Sequence, residues 1–238
     1  MSKVVKRGYV PEDEREFSEK SLITLKRAAK DICYLMEQGY PIKCASTFVG
    51  NHYLLSERQR LALVRSISVQ KQITIRKQKE IVSLEEDATL YIDGFNTIIT
   101  LEVAFSGVPL FGCMDGTIRD LAGLRGTYRL IDKTKLAVDA IAKVLLKYKV
   151  RKVVFYLDAP VSNSGRLAQL LREHYKDLPF TLEIEVIHQV DSVLQKLDHV
   201  VTSDAIILDH AESWFNLVKK ALELEKLEYK TICVWDEK

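Results

Sequence analysis

Apolar positions recur at three- and four-residue steps through Leu22, Leu25, Ala29, Ile32, Leu35 and Met36, which predicts an amphipathic helix. Gly39 stands where a left-handed C-terminal cap is usual, and Pro41 follows, so the helix is expected to stop there. A shorter helical stretch is expected over 45–49. Ser56-Glu57-Arg58-Gln59 has the spacing of a capping box ahead of Leu61, Leu63 and Val64, and 69–82 continues as helix. From about residue 88 the period changes. Short apolar runs at 88–92, 153–157, 182–187, 199–202 and 231–235 suit buried strands, and helical patterns at 134–148, 165–176 and 210–225 lie among them. Strands alternating with helices predict an α/β domain whose parallel sheet is covered by helices on both faces. The chain therefore reads as a small all-helical domain over 1–84 followed by an α/β domain over 85–238. The glycine-rich segment 106–130 is expected to be a long functional loop.

Composition narrows the class. A chain of 238 residues, 47% hydrophobic and 29% charged with only 5 prolines, can bury a core without staples. Its opening, Met1 to Arg7, has no apolar stretch suited to a secretory leader, and no run of apolar residues is long enough to span a bilayer. Cys33, Cys44, Cys113 and Cys233 form no Cys-x-x-Cys pair, which argues against a zinc site and for a reducing compartment. A cytoplasmic protein with no membrane partner is expected.

Charge is unevenly placed. Residues 1–80 carry 16 Lys and Arg against 9 Asp and Glu, whereas 81–238 carry 19 against 24. Between Lys43 and Lys79 the only acid is Glu57. Such a block suits a polyanion, and equally an ordinary solvated helix face.

The acids of the second part fall at particular places. Asp93 follows the first apolar run in Tyr91-Ile92-Asp93-Gly94-Phe95-Asn96, Asp158 follows Val154-Phe155-Tyr156-Leu157, and Asp204 follows Val200-Val201-Thr202-Ser203. In an open parallel sheet, ligands gather outside the carboxyl ends of the strands. Three carboxylates there repel one another unless a cation lies between them, and hard oxygen donors suit Mg²⁺ or Mn²⁺. Taken singly, an aspartate after a strand is more often just the cap of the next helix, and it is the conjunction of three that points to a site.

Asp-Gly-Phe-Asn after a first strand resembles the opening motif of PIN-like, NYN-type metal-dependent nucleases, and Thr202-Ser203-Asp204 resembles their Thr/Ser-x-Asp motif. Asp191 stands where those families often place a further acid, and Asp158 resembles the second-strand acid of the NYN branch. The resemblance covers roughly residues 88–235. Along its whole length the chain also resembles a prokaryotic family that joins a helical N-terminal domain to a PIN-like one. That likeness is carried by Gly39-Tyr40-Pro41-Ile42-Lys43, by Phe48-Val49-Gly50-Asn51-His52-Tyr53 and by Arg58-Gln59-Arg60.

The resemblance implies a PIN-like parallel-sheet sandwich and Mg²⁺- or Mn²⁺-dependent phosphodiester hydrolysis, on RNA before DNA. Asp93, Asp158 and Asp204 would hold metal, with Asp191 and Asn96 in the catalytic group. Glu102 is the nearest counterpart of an early-helix acid, and Asp115 and Asp120 could extend the site. Arg58, Arg60, Arg65 and Lys71 would track phosphates on a single strand, helped by Arg119 and by the Ser162-Asn163-Ser164 turn. His52 and Tyr53 could stack on a base, or simply pack. A homo-oligomer is compatible with this reading. The alternative function is a catalytically inactive PIN-like protein that binds nucleic acid or regulates a partner. A haloacid-dehalogenase-type phosphatase is excluded because Cys113 replaces the required aspartate before Asp115-Gly116-Thr117. Serine hydrolase and Walker-type nucleotide sites fail for want of their glycine motifs.

Overall fold

The computed structural model describes residues 5–85, 87–123 and 126–236. Part of the opening segment (residues 1–4) and part of the expected loop 106–130 (residues 124 and 125) lie outside the described residues.

The helical region comprises α1 (Asp13–Glu16), α2 (Glu19–Glu37), α3 (Ile42–His52), α4 (Glu57–Ser66) and α5 (Gln70–Lys79). Leu25, Ala29 and Ile32 of the predicted stripe are buried on α2, which ends before Gly39 at φ +90°. The capping box forms on α4: the Ser56 hydroxyl accepts the Gln59 amide at 3.1 Å, and the Gln59 side-chain oxygen accepts the Ser56 amide at 3.1 Å. Helix α3 extends beyond the expected 45–49, because Pro41 starts it and Ala45 and Val49 keep an apolar face inward.

The remainder runs β1 (Glu80–Ile81), β2 (Thr89–Asp93), α6 (Gly94–Phe105), β3 (Leu110–Gly112), β4 (Ile118–Arg119), α7 (Asp132–Lys147), β5 (Lys152–Asp158) and α8 (Ser164–Tyr175). It continues through β6 (Thr181–Ile187), α9 (Val190–Leu194), β7 (Val200–Val201), α10 (Ala205–His210), β8 (Trp214–Phe215), α11 (Leu217–Glu225) and β9 (Thr231–Ile232). Six strands form one all-parallel sheet in the order β1-β8-β7-β2-β5-β6. From β2 the chain fills β5 and β6 on one side, then crosses to place β7 and β8 on the other. The carboxyl end of β2 is therefore a topological switch point, where such sheets open a crevice.

The α/β expectation holds, with four local corrections. The helix expected over 69–82 ends at Lys79, and Glu80–Ile81 pair in parallel with Trp214–Phe215 as an edge strand of the sheet. The single helix expected over 210–225 is broken into α10, β8 and α11. Trp214 and Phe215 are wholly buried as a strand, and the Trp214 indole donates to the Arg76 carbonyl at 2.7 Å. An apolar pair fits either period, and here sheet burial prevails. The run at 231–235 contributes only Thr231–Ile232, which joins a second sheet of order β4-β3-β9. The segment 106–130 is not a plain loop, since it supplies β3 and β4 of that small sheet.

Strand alternation sorts two faces. Leu90, Ile92, Phe155 and Leu157 enter a large core with α6, α7, α8 and α11. Tyr91 and Tyr156 point to the opposite face, where α9 and α10 supply a thinner layer through Val190, Leu194, Ile207 and Ala211. The helical region shares a third core with the small sheet: Leu25, Ile32 and Leu63 pack with Phe111, Ile232 and Val234. Among the described residues no helix is long and apolar enough to cross a membrane.

Candidate functional site

Asp93 is both the last residue of β2 and the cap of α6, accepting the Asn96 amide at 3.3 Å through Oδ1. The turn that permits this requires Gly94: a Cβ there would lie 2.5 Å from Leu157 Cδ2 and 3.1 Å from the Tyr156 carbonyl oxygen. Thr202 donates to Asp93 Oδ2 at 2.9 Å. The carboxyl is 7% exposed. Burial pushes its pKa up to about 7, with Asp204 and Asp191 adding repulsion and the hydrogen bonds from Thr202 and Asn96 opposing.

Asp204 caps α10, accepting the Ile206 and Ile207 amides. Asp158 ends β5, and partial burial raises its carboxyl above the ordinary range. Asp191, in the first turn of α9, is raised by burial and then by Asp204 and Asp158. Asp120 lies just beyond β4, where its carboxylate accepts the Thr100 hydroxyl at 2.8 Å and the Ala122 amide at 2.7 Å. These five aspartates line one cavity of about 320 Å³ together with Asn96 and Arg65. Five chain segments thus deliver carboxylates to the switch point. Their all-oxygen chemistry fits a hard divalent cation. Among the described residues, however, no three His, Cys, Asp or Glu side chains are grouped closely enough to hold a metal ion as they stand. The donor types match, and the cage is not closed.

A buried charge network braces the floor of the site. Arg119 donates to the Ser203 carbonyl at 2.5 Å and to Asp115 at 2.6 Å, while also holding the Arg65 carbonyl. Arg76 donates to Asp115 at 2.8 Å and clamps Asp209 with bonds of 2.7 and 2.9 Å. Burial alone would raise Asp115, but Arg119, Thr117 and Arg76 hold it below the ordinary carboxylate range. Asn96 Oδ1 accepts both the Ser203 amide and its hydroxyl at 2.9 Å. A backbone N–H must meet the oxygen, so the orientation of the Asn96 amide is set.

Several expected site residues lie elsewhere, each for a physical reason. Glu102 is fully buried away from the aspartates. It accepts Arg7 at 2.7 Å and Tyr128 at 2.7 Å, with Thr134 as a further donor, so both of its oxygens are engaged away from the aspartate cavity. Asp115 is consumed by Arg76 and Arg119 and lines no part of the aspartate cavity. Arg119 is itself buried as a brace rather than displayed to a phosphate. Arg58 is paired with Asp13 and donates to the Leu121 and Gly8 carbonyls. Arg60 lies over Gly50 and donates to the Leu55 carbonyl and Asn51, each at 3.0 Å. Both arginines tie helices together. His52 is exposed with its ring edge-on to Tyr53, whose hydroxyl donates to Asp31. Lys71 is exposed on α5 and lines neither the aspartate cavity nor the cleft beside it. The Ser162-Asn163-Ser164 turn grips Tyr128, whose amide meets Ser162 Oγ at 3.0 Å and whose carbonyl accepts Asn163 Nδ2 at 2.6 Å. Of the expected basic surface, Arg65 alone lines the aspartate cavity.

Arg76 and Asp209 were not singled out by the sequence. The available signal was spacing: Ile73 and Arg76, three residues apart, are the buried positions of α5. An arginine on an apolar stripe implies a buried acidic partner.

Residues 83–220 match the family described as a domain of unknown function (DUF5616), and residues 24–79 match a protein family of unknown function (DUF434). An uncharacterised protein of Methanocaldococcus jannaschii is 33% identical over 208 residues, covering 86% of this chain and 99% of that protein. No solved structure matches the chain.

Proposed function

We propose that this chain, which belongs to the DUF5616 family, is a divalent-metal-dependent nuclease of PIN-like type acting on RNA. One observation carries the reading: Asp93, Asp120, Asp158, Asp191 and Asp204 reach a single cavity at the switch point of a parallel sheet. Burial, with repulsion from neighbouring carboxylates added, raises the proton affinity of Asp93 and Asp191, a cost that a bound cation would remove. Asp93 and Asp204, joined through Thr202, and Asp158 across the cavity would hold Mg²⁺ or Mn²⁺. When bound, that ion supplies a lowered water pKa and neutralises phosphate charge.

The chain's own groups have separate tasks. Asp191 would accept a proton from the attacking water, since burial, and after it the repulsion of Asp204 and Asp158, raises its basicity. Asn96 presents its amide NH₂ to the substrate, its oxygen being engaged by Ser203. Arg65, partly exposed at the cavity wall, would meet a phosphate oxygen.

A second reading, a non-catalytic nucleic-acid-binding or regulatory protein, is favoured by the open spacing of the acids. Incubation of single-stranded RNA with the protein and Mn²⁺ separates the two. Cleavage by wild type that Asp93→Asn and Asp204→Asn both lose, while remaining folded, is the expected result. Intact RNA with wild type in both Mg²⁺ and Mn²⁺ would leave the second reading.

A further inference from the structure

Beside the aspartate cavity lies a second and larger cleft of about 460 Å³, within the range of about 300–1,000 Å³ usual for small-molecule sites. The two share Arg65, Asn96, Asp120 and Asp204, so they open into one another. The cleft separates the two halves of the chain. Met36, Ile42, Val64 and Ile67 line it from the helical region, and Ala205 and Ile206 line it from α10. Ile206 is 59% exposed there, although the adjacent Ile207 is fully buried.

We propose that this cleft receives an unstacked nucleobase of the RNA whose phosphodiester lies at the aspartates. The inference rests on the nuclease reading and adds the form of its substrate. Charge decides which part of a nucleotide enters. Asp120, Asp204 and Asp209 border the cleft and disfavour an anion inside it. Two of its three arginines are already spent: Arg76 on Asp115 and Asp209, and Arg119 on Asp115 and two carbonyls. The third, Arg65, holds Asp120 through one nitrogen and stands partly exposed at the seam shared with the aspartate cavity, where a phosphate would lie. A neutral, flat group with apolar faces and a polar edge fits the remainder.

The edge has readers. Asn96 has its oxygen occupied by Ser203, and among the described residues its NH₂ group has no hydrogen-bond partner. Gln72 uses its amide nitrogen on Asp209 at 3.1 Å, which leaves its carbonyl oxygen as an acceptor on the cleft wall. One donor and one acceptor, set between aliphatic walls, can bond a base edge and cover its faces. A base within a duplex keeps its faces stacked on its neighbours and cannot enter; an unstacked base of a single strand can. The helical region therefore contributes through Met36, Ile42 and Val64 rather than through its exposed basic side chains.

Amide NMR of the full chain in EDTA, titrated with adenosine and with 5′-AMP, tests this without metal or turnover. Shifts are expected at residues 64–72, at Asn96 and at 203–209, with AMP also moving Arg65. Ile206→Glu, at an exposed position that the fold does not need, should weaken both ligands by about tenfold or more, through a charge set against an apolar face. Asp93→Asn should bind adenosine as wild type does. The inference is overturned by absence of shifts, by shifts elsewhere on the surface, or by undiminished binding to a folded Ile206→Glu. If RNA is cleaved but no cleft shifts occur, only the base subsite falls. If the cleft binds nucleoside and RNA stays intact, the subsite stands and the nuclease reading falls.

Discussion

Thr202 donates its hydroxyl hydrogen to Oδ2 of Asp93 at 2.9 Å, across 109 positions of chain, and its oxygen accepts the Asp204 amide at 3.1 Å. One side chain thus ties together the carboxyl ends of β2 and β7 and spaces the two aspartates that border the cavity. The bond favours ionised Asp93, yet burial and neighbouring carboxylates outweigh it and raise the group to about 7.

That balance makes stability depend on pH. An unfolded aspartate titrates near about 3.9, so between there and about 7 the folded protein binds the extra proton. Stability from this group is greatest below the unfolded value and falls as pH rises to about 7, by at most about 4 kcal/mol. In EDTA, urea denaturation at pH 5 and pH 8 should show wild type losing more stability over that interval than Asp93→Asn. Equal losses would mean that Asp93 is not a buried, repelled carboxyl.

Gly94 is set by space rather than by flexibility. Ala at this position improves helix propensity but forces a Cβ onto Leu157 and the Tyr156 carbonyl. Gly94→Ala should cost about 1–3 kcal/mol, read as a lower denaturation midpoint with unchanged slope. A neutral or stabilising result would show that the start of α6 can move away from β5.

Glu102 separates structural from catalytic acids. Glu102→Gln places an amide NH₂ where Arg7 now donates, or turns it toward Tyr128 and Thr134, and either arrangement sets donor against donor. A loss of about 1–3 kcal/mol is expected, with RNA cleavage by the folded fraction unchanged. Cleavage lost at full stability would return Glu102 to the site.

The arginines divide in the same way. Arg65→Ala should lower RNA affinity and reduce the slope of log K against log salt by about one, at a smaller cost in stability than Arg58→Ala, because its pair with Asp120 is a looser 3.8 Å and it is partly exposed. Arg58→Ala should instead lower the melting temperature, because it strands Asp13, which is 11% exposed, and releases two backbone carbonyls. Reversed effects would restore Arg58 to the nucleic-acid surface.

Local signals determined much of this protein before its structure. The stripe on α2, the capping box at Ser56 and the strands ending at Asp93, Asp158 and Asp204 are short-range patterns, because helix and strand periods are written in neighbouring residues. The parallel sheet follows from their alternation, and strand-end placement brought three of the five cavity aspartates into view as a group. Only the tertiary structure decided the rest. Glu102 and Asp120 are both acids near the opening motif, yet one faces Arg7 and the other the cavity. That difference depends on which neighbour meets the Glu102 face of α6 and on where the small sheet sets the residue after β4. Arg58 and Arg65 sit seven residues apart in one basic block, and only the distant Asp13 and Leu121 tell the brace from the partly exposed cation at the cavity wall. The cleft between α4 and α10 has no sequence signature at all, since its walls come from opposite ends of the chain and exist only once the helical region has docked.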